Sequence, residues 1–242
     1  MKVIISGYGR MGKMIERISE ERTHKILALL DTEADWKQLE HRDLTNAVVI
    51  DFSLPEVAVP NLYRCFNLGL PVVTGTTGWY GHLEEVKATC TEQKGSLFYA
   101  PNFSLGVNLF FYVNKIMAKA MAQVEGYRCS MKEIHHIHKL DAPSGTAIKT
   151  AEDILAMNPN LTRWVNQESS TEGELPIESV REDEVPGTHE VFYDSEVDIL
   201  TLKHEARSRK GFALGAVLAA EFLLGKKGIF TMEDYLKTLG IN

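Results

Sequence analysis

The stretch from Lys132 to Thr146 reads Lys-Glu-Ile-His-His-Ile-His-Lys-Leu-Asp-Ala-Pro-Ser-Gly-Thr, and it gathers three of the chain's eight histidines. An imidazole exchanges a proton near neutral pH, so His135, His136 and His138 could carry a proton to or from a reacting centre. Lys132 and Lys139 add positive charge. Met131, Ile134 and Ile137, interleaved with polar residues, predict a strand that ends at the histidines. Thr146, Ala147, Ile148, Ala151, Ile154 and Leu155 predict a helix, with Ser144 as its N-cap. A strand end would then present the imidazoles beside free backbone N–H groups at a helix start. That combination suits an anion, including one with two carboxylates.

Two other readings compete with it. A single histidine at a strand end is most often satisfied by local hydrogen bonds, but three beside a lysine are unusual. A metal is the second alternative, because His136 and His138 would share one face of a strand and His-x-His can bind zinc. Neither a cysteine nor a carboxylate stands at a third-ligand spacing, and Lys139 adds a positive charge, so no metal is expected.

The histidines need a chemical partner, and the N-terminus offers one. Lys2 to Ser6 predicts a short buried strand. It leads into Gly7-Tyr8-Gly9-Arg10-Met11-Gly12, then a helical pattern with Met14, Ile15 and Ile18. Strand, G-x-G-x-x-G and helix together let a pyrophosphate lie on a helix N-terminus. Gly7 would make the turn, Gly9 would admit the phosphates, and Gly12 would let helix and strand pack closely. The next apolar run, Ile26 to Leu30, ends in Asp31, the expected acceptor for a ribose 2′-hydroxyl. Thr32, Glu33 and Ala34 follow, with no cation before Lys37. A 2′-phosphate would meet an acid there, so NADH is expected over NADPH.

Further strands are predicted at Ala47–Asp51, Pro71–Thr74 and Leu97–Tyr99, with a helix from about Glu56 to Leu68. The last two strands open into Gly75-Thr76-Thr77-Gly78 and Ala100-Pro101-Asn102-Phe103-Ser104. In a parallel sheet such loops line the ligand crevice. Leu109, Phe110, Val113, Ile116, Met117, Ala120 and Val124 recur at helical spacing and predict a core helix. A second unit would hold the histidine stretch and strands at Pro176–Arg181, His189–Tyr193 and Val197–His204. The acidic runs near Asn166–Glu174 and Glu182–Glu184 read as solvated loops. Phe212 to Leu224 predicts a buried helix, and the last residues carry little signal.

The composition is that of an ordinary globular protein of one large or two small domains. The chain has 242 residues, is 44% apolar and carries a net charge of -7. Non-specific nucleic-acid binding is not expected from so acidic a chain. The longest apolar stretch is too short to span a bilayer and is broken by Glu221. Three scattered cysteines without a CxxC fit a reducing compartment, so a cytoplasmic location is expected.

Glu133 to Thr146 strongly resembles the signature of bacterial dihydrodipicolinate reductases. Gly75–Gly78, Pro101–Asn108 and Val185–His189 are also similar to segments of that family. The resemblance runs through nearly the whole chain. It implies a Rossmann-type doubly wound parallel sheet and a second α+β domain with a mixed open sheet. The first domain would be discontinuous, 1–105 with 212–242, and the second, 106–211, would bind substrate and form a homotetramer. The implied reaction reduces a cyclic pyridine-2,6-dicarboxylate precursor with NADH or NADPH in the diaminopimelate route to lysine. His135 would be the proton donor or acceptor and Lys139 a second proton donor. His136, Gly145 and Thr146 would hold substrate carboxylate. Gly7 to Gly12, Asp31, Gly75, Thr76, Thr77 and Ala100 to Phe103 would hold the cofactor. The glycine loop is one residue shorter than the usual G-x-x-G-R-M-G, and Thr32 replaces an arginine that often follows the second-strand acid. Two other functions would keep much of the same machinery: a dehydrogenase for another dicarboxylate or amino acid, and a non-catalytic NADH sensor.

Overall fold

The computed structural model describes residues 1–241. The chain forms two compact units, Met1–Leu105 with the segment from Lys210 onward, and Gly106–Arg209. In the first unit the order is β1 (Lys2–Ser6), α1 (Arg10–Glu21), β2 (Lys25–Leu30), α2 (Glu33–Leu39), β3 (Ala47–Asp51) and α3 (Pro55–Asn67). β4 (Val72–Thr74), α4 (Leu83–Glu92) and β5 (Ser96–Tyr99) follow. The chain continues through α5 (Leu105–Met121), β6 (Arg128–His135), α6 (Gly145–Met157), β7 (Arg163–Val165), β8 (Glu174–Arg181), β9 (Thr188–Asp194) and β10 (Ile199–Glu205). It ends with α7 (Lys210–Leu223), β11 (Gly228–Phe230) and α8 (Met232–Thr238).

The first unit is a six-stranded sheet in the order β11-β5-β4-β3-β1-β2. Every neighbouring pair is parallel. Strands buried on both faces need continuous apolar runs, and β1 and β3 supply them. Successive side chains alternate between faces. Val3, Ile5, Val48 and Ile50 join a core with Ala216, Val217 and Ala220 of α7. Ile4 and Val49 join the opposite core with Leu62 of α3 and Val86 of α4. The strand order reverses between β1 and β3, which makes that point the switch where a ligand crevice opens. The last residues hold more than the sequence pattern suggested: β11 extends the sheet, and Asp234 accepts hydrogen bonds from the Thr231 N–H and hydroxyl at the start of α8.

The second unit carries a five-stranded mixed sheet, β10-β9-β6-β8-β7. β6 lies antiparallel to β9 and parallel to β8. Its residues alternate in burial, with Cys129, Met131, Glu133 and His135 on the buried face. α5 forms as a helix but buries a different stripe from the expected one. Val113 and Ile116 are 41% and 53% exposed, whereas Val107, Phe110, Asn114 and Ala118 face inward. Phe110 and Ala118 pack into the core of this unit, and on the same face the Asn114 amide donates to the Thr150 carbonyl of α6 at 3.1 Å.

Candidate active site

In the first unit, β1 ends at Ser6 and the chain turns at Gly7, whose φ of +86° favours glycine. A Cβ on Gly7 would lie 2.4 Å from the Phe52 carbonyl oxygen, and one on Gly12 would lie 2.3 Å from the Gly7 carbonyl oxygen. Gly9 faces open space and is the N-cap of α1, without a side-chain capping bond. The first-turn N–H groups of α1, with Arg10 and Met11 exposed or half-buried around them, suit a phosphate. The Tyr8 N–H donates to Asp31 Oδ1 at 2.7 Å, which brings the acid after β2 up to the glycine loop. The surroundings of Asp31 are anionic. Asp35 caps the start of α2 by accepting from the N–H groups of Asp31 and Thr32, and Arg64 is engaged by Glu33. These residues fit a dinucleotide: open N–H groups for phosphates and an acid for a ribose.

The two loops beyond β4 and β5 are built differently from each other. Gly75 is packed under the Phe52 ring, where a Cβ would lie 2.2 Å from Cζ. The Thr76 hydroxyl, implied by the resemblance to hold the cofactor, turns inward. It donates to Asp51 Oδ2 at 2.8 Å and accepts from the Ser53 N–H at 2.9 Å. Thr77 is exposed. Ala100 and Phe103 are buried in the core, with Phe103 against Phe98 and Phe52. Pro101 is exposed, and Asn102 Oδ1 accepts from the Ser104 N–H. Thr76, Ala100 and Phe103 can therefore offer a cofactor their backbone only.

Asp51, at the end of β3, organises these loops. It is fully buried and accepts from the hydroxyls of Ser6 (2.8 Å), Thr74 (3.1 Å) and Thr76 (2.8 Å) and from the Asn61 amide. Sequence reading assigned it no role.

In the second unit, β6 ends at His135, so the histidines stand at a strand end as expected. His136 to Lys139 form a turn closed by the Lys139 N–H donating to the His136 carbonyl. His136 and His138 therefore do not share a strand face. His138 is exposed and pairs with Glu184 at 3.0 Å, which gives one of the acidic loops a partner. Lys139 Nζ lies 2.8 Å from Asp141 Oδ1. Ser144 is the N-cap of α6, its hydroxyl accepting from the Ala147 N–H at 3.2 Å. Gly145 faces open space, and Thr146 is half-buried beside it.

The cluster that the fold assembles is Glu133, His135 and His189, whose donor atoms lie within 4.8 Å of one another. Glu133 is fully buried. It accepts from the Ser144 N–H at 3.0 and 3.1 Å and from Arg181 Nη2 at 3.3 Å. His135 Nδ1 is 3.3 Å and His189 Nε2 is 3.8 Å from its Oε2. Burial would raise the Glu133 pKa, but hydrogen bonds from His135, Ser144 and Ser179 outweigh it and hold the carboxyl well below the usual range. For His189 burial comes first. Together with the positive neighbours His135, His204 and Lys139 it outweighs Glu133 and lowers the imidazole to about 3. His189 is thus neutral at physiological pH, and its Nε2 meets the Ser144 hydroxyl at 3.2 Å. Arg181 also donates to the carbonyls of Asp141 and Lys139, tying the loop before α6 to β8. With a guanidinium already neutralising Glu133, the trio reads as a hydrogen-bonded charge network rather than a metal cage. Arg181 and His189 were not found from sequence as site residues. Glu133 could have been: two residues before His135 in a strand puts both on one face.

The chain matches two family models in succession, "Dihydrodipicolinate reductase, N-terminus" over residues 1–103 and "Dihydrodipicolinate reductase, C-terminus" over residues 106–236. The chain belongs to the dihydrodipicolinate reductase family. A curated 4-hydroxy-tetrahydrodipicolinate reductase from Christiangramia forsetii is 47% identical over 239 residues, covering 99% of each chain. One from Staphylococcus saprophyticus is 33% identical over 97% of this chain and 100% of its own. Among solved structures, a dipicolinate-bound dihydrodipicolinate reductase from Paenisporosarcina sp. TG-14 superposes with a TM-score of 0.75 at 23% identity, over 96% of this chain and 97% of that one. An amine dehydrogenase from Mycobacterium smegmatis shares the fold at a TM-score of 0.55 and 12% identity, over 95% of this chain and 94% of that one. The family's shared architecture is what this chain shows: a parallel nucleotide-binding sheet and a second, mixed sheet.

Proposed function

We propose that this chain reduces 4-hydroxy-tetrahydrodipicolinate to tetrahydrodipicolinate with NAD(P)H, with loss of water. The observation that carries the reading is the cluster at the end of β6: a proton-carrying imidazole, a buried ionised carboxylate and the open start of α6 within one loop. Residues 1–105 with 212–242 hold the dinucleotide, through the α1 N-terminus, Asp31 and the backbone of the Gly75 and Ala100 loops. The reduced nicotinamide supplies a hydride. Residues 106–211 hold the dicarboxylate. Gly145 and Thr146 at the start of α6 and His136 take carboxylate; His135 supplies the proton that balances the hydride, and Lys139 adds a second donor or a positive charge. NADH is preferred, because Asp31 follows β2 with Glu33 and Asp35 close behind it in the chain, and a 2′-phosphate held beside Asp31 would meet a carboxylate. Three buried, unpaired cysteines support a reducing, cytoplasmic setting. No helix among the described residues is long and apolar enough to cross a membrane. A homotetramer built on the second sheet is supported by β10, whose Ile199 and Leu200 are 56% and 46% exposed.

The test is a coupled assay with the pathway's condensing enzyme, pyruvate and aspartate semialdehyde, following NADH and NADPH in turn. Consumption of neither would defeat the reading, and a lower Michaelis constant for NADPH would defeat the preference. His135→Ala is expected to lower turnover by about 10² or more, the scale of one acid–base group, with NADH binding unchanged.

A further inference from the structure

Which nitrogen of His135 handles the proton is written in its surroundings. Nδ1 lies 3.3 Å from Oε2 of Glu133. Nε2 points the other way, toward the turn before β9. There stands Gly187, with a φ of +150°. A Cβ built on that residue would lie 3.0 Å from His135 Nε2 and 3.2 Å from its Cδ2. The glycine thus leaves clear the nitrogen that the carboxylate does not face. Glu133 itself has little freedom. Its oxygens are pinned by the Ser144 N–H and by Arg181, and both anchors also hold the loop that opens α6.

We propose that Glu133 and Gly187 are positioning residues for His135: the carboxylate takes the Nδ1 hydrogen, so that Nε2 transfers the proton, and the missing side chain at 187 keeps Nε2 accessible. The step rests on the reductase reading. Hydride addition forms a C–H bond on an electron-poor ring carbon and leaves an electron pair on the ring. The Nε2–H bond of the imidazolium breaks, the proton joins that pair, and His135 is left neutral with its hydrogen on Nδ1 facing Glu133. Glu133 gains no proton; it stabilises the charged ring before transfer and fixes the tautomer after it. Because Glu133 also binds the Ser144 N–H, the same carboxylate sets the proton carrier and the anion-binding helix start in register.

The experiment reads tautomer and turnover separately. Imidazole ¹⁵N shifts of the full-length protein, with His135 assigned by its loss in His135→Asn, report which nitrogen carries hydrogen without substrate. Once the ring is neutral, the expected form is Nδ1–H, and Glu133→Gln is expected to mix in the Nε2–H form. Glu133→Gln keeps size and an acceptor for Ser144, and is expected to lower kcat by about 10- to 10²-fold with an unchanged Kd for NADH. Gly187→Ala is expected to lower kcat while leaving the tautomer as Nδ1–H. NADH titration and thermal unfolding check that each variant is folded; should Gly187→Ala fail to fold, Glu133→Gln alone decides. A resting Nε2–H tautomer in the parent, or a Glu133→Gln variant with parental kcat, overturns the proposal. So does a stoichiometric transition metal in the purified protein that Glu133→Gln loses, since the trio would then be its ligands. A parent without reductase activity but with the expected tautomer shift would fail the proposed function, not this assignment of nitrogens.

Discussion

Each unit hides one carboxylate at the end of a strand, and the two are satisfied in opposite ways. Asp51, closing β3, is met by neutral donors: three hydroxyls and an amide. Glu133, near the end of β6, is met by a guanidinium, a backbone N–H and two imidazoles. None of the side chains around Asp51 changes charge near neutral pH, so that network can only fix shape. It does so by holding Thr76 in place and, through Ser53 and Phe52, bracing both glycine loops of the dinucleotide crevice. One partner of Glu133, the His135 imidazole, can carry a proton, so the same kind of buried acid there governs where a proton sits. A buried carboxylate is therefore not a site by itself; the ionisation of its donors decides what it can do.

Four substitutions sharpen or break this contrast. The largest effect is expected from Glu133→Ala, which strands the Arg181 charge and the Ser144 N–H in the interior; about 3 kcal/mol of stability should be lost in urea unfolding. A loss under about 1 kcal/mol would mean that solvent reaches those groups. Asp51→Asn comes next, at about 2 kcal/mol, because its amide presents N–H groups to hydroxyls that were donating. Its functional signature should be a raised Kd for NADH with the His135 ¹⁵N spectrum unchanged; a changed spectrum and parental Kd would reverse the roles assigned to the two acids.

His189→Asn probes the charge side of the comparison. The His189 pKa falls from 6.5 in the unfolded chain to about 3 in the fold. Above pH 6.5 the ring is neutral in both states and costs nothing. As pH falls below 6.5 the unfolded chain binds a proton that the folded chain refuses, so stability drops by about 1.4 kcal/mol per pH unit. His189→Asn should make the stability profile shallower by that slope between pH 6.5 and 5. Equal slopes would mean that the buried ring protonates in the fold. The smallest effect is expected from Thr146→Val: loss of one hydrogen bond to a carboxylate, about 1.5 kcal/mol, should raise the substrate Michaelis constant about tenfold and leave kcat unchanged.

Local chemistry is what could be read along the chain. The glycine loop, the buried runs of β1 and β3 and the Ser144 cap each depend on residues within a few positions of one another, and each forms as expected. The failures have a common cause. The stripe expected to pack α5 rested on apolar side chains, but the buried face includes Asn114, bonded to a carbonyl 36 residues away. The Thr76 hydroxyl was offered to a ligand, but Asp51, 25 residues earlier, takes it. The histidines stand where a strand ends, as expected, but the imidazole that joins His135 at Glu133 is His189 of β9, which nothing near it in the chain announced.

By itself, then, the sequence determined the kind of protein: a glycine loop for a dinucleotide, a histidine-lysine run for an acid–base step on an anion, and strand and helix periods that sort into two sheets. The tertiary structure alone decided which imidazole partners the carboxylate, that Arg181 rather than Lys139 neutralises it, and that Gly187 leaves one ring nitrogen open. The physical reason is distance along the chain. Periodicity fixes which face a side chain points to, whereas the neighbour waiting there arrives from a strand 45 or more residues away and is fixed only when the sheet closes.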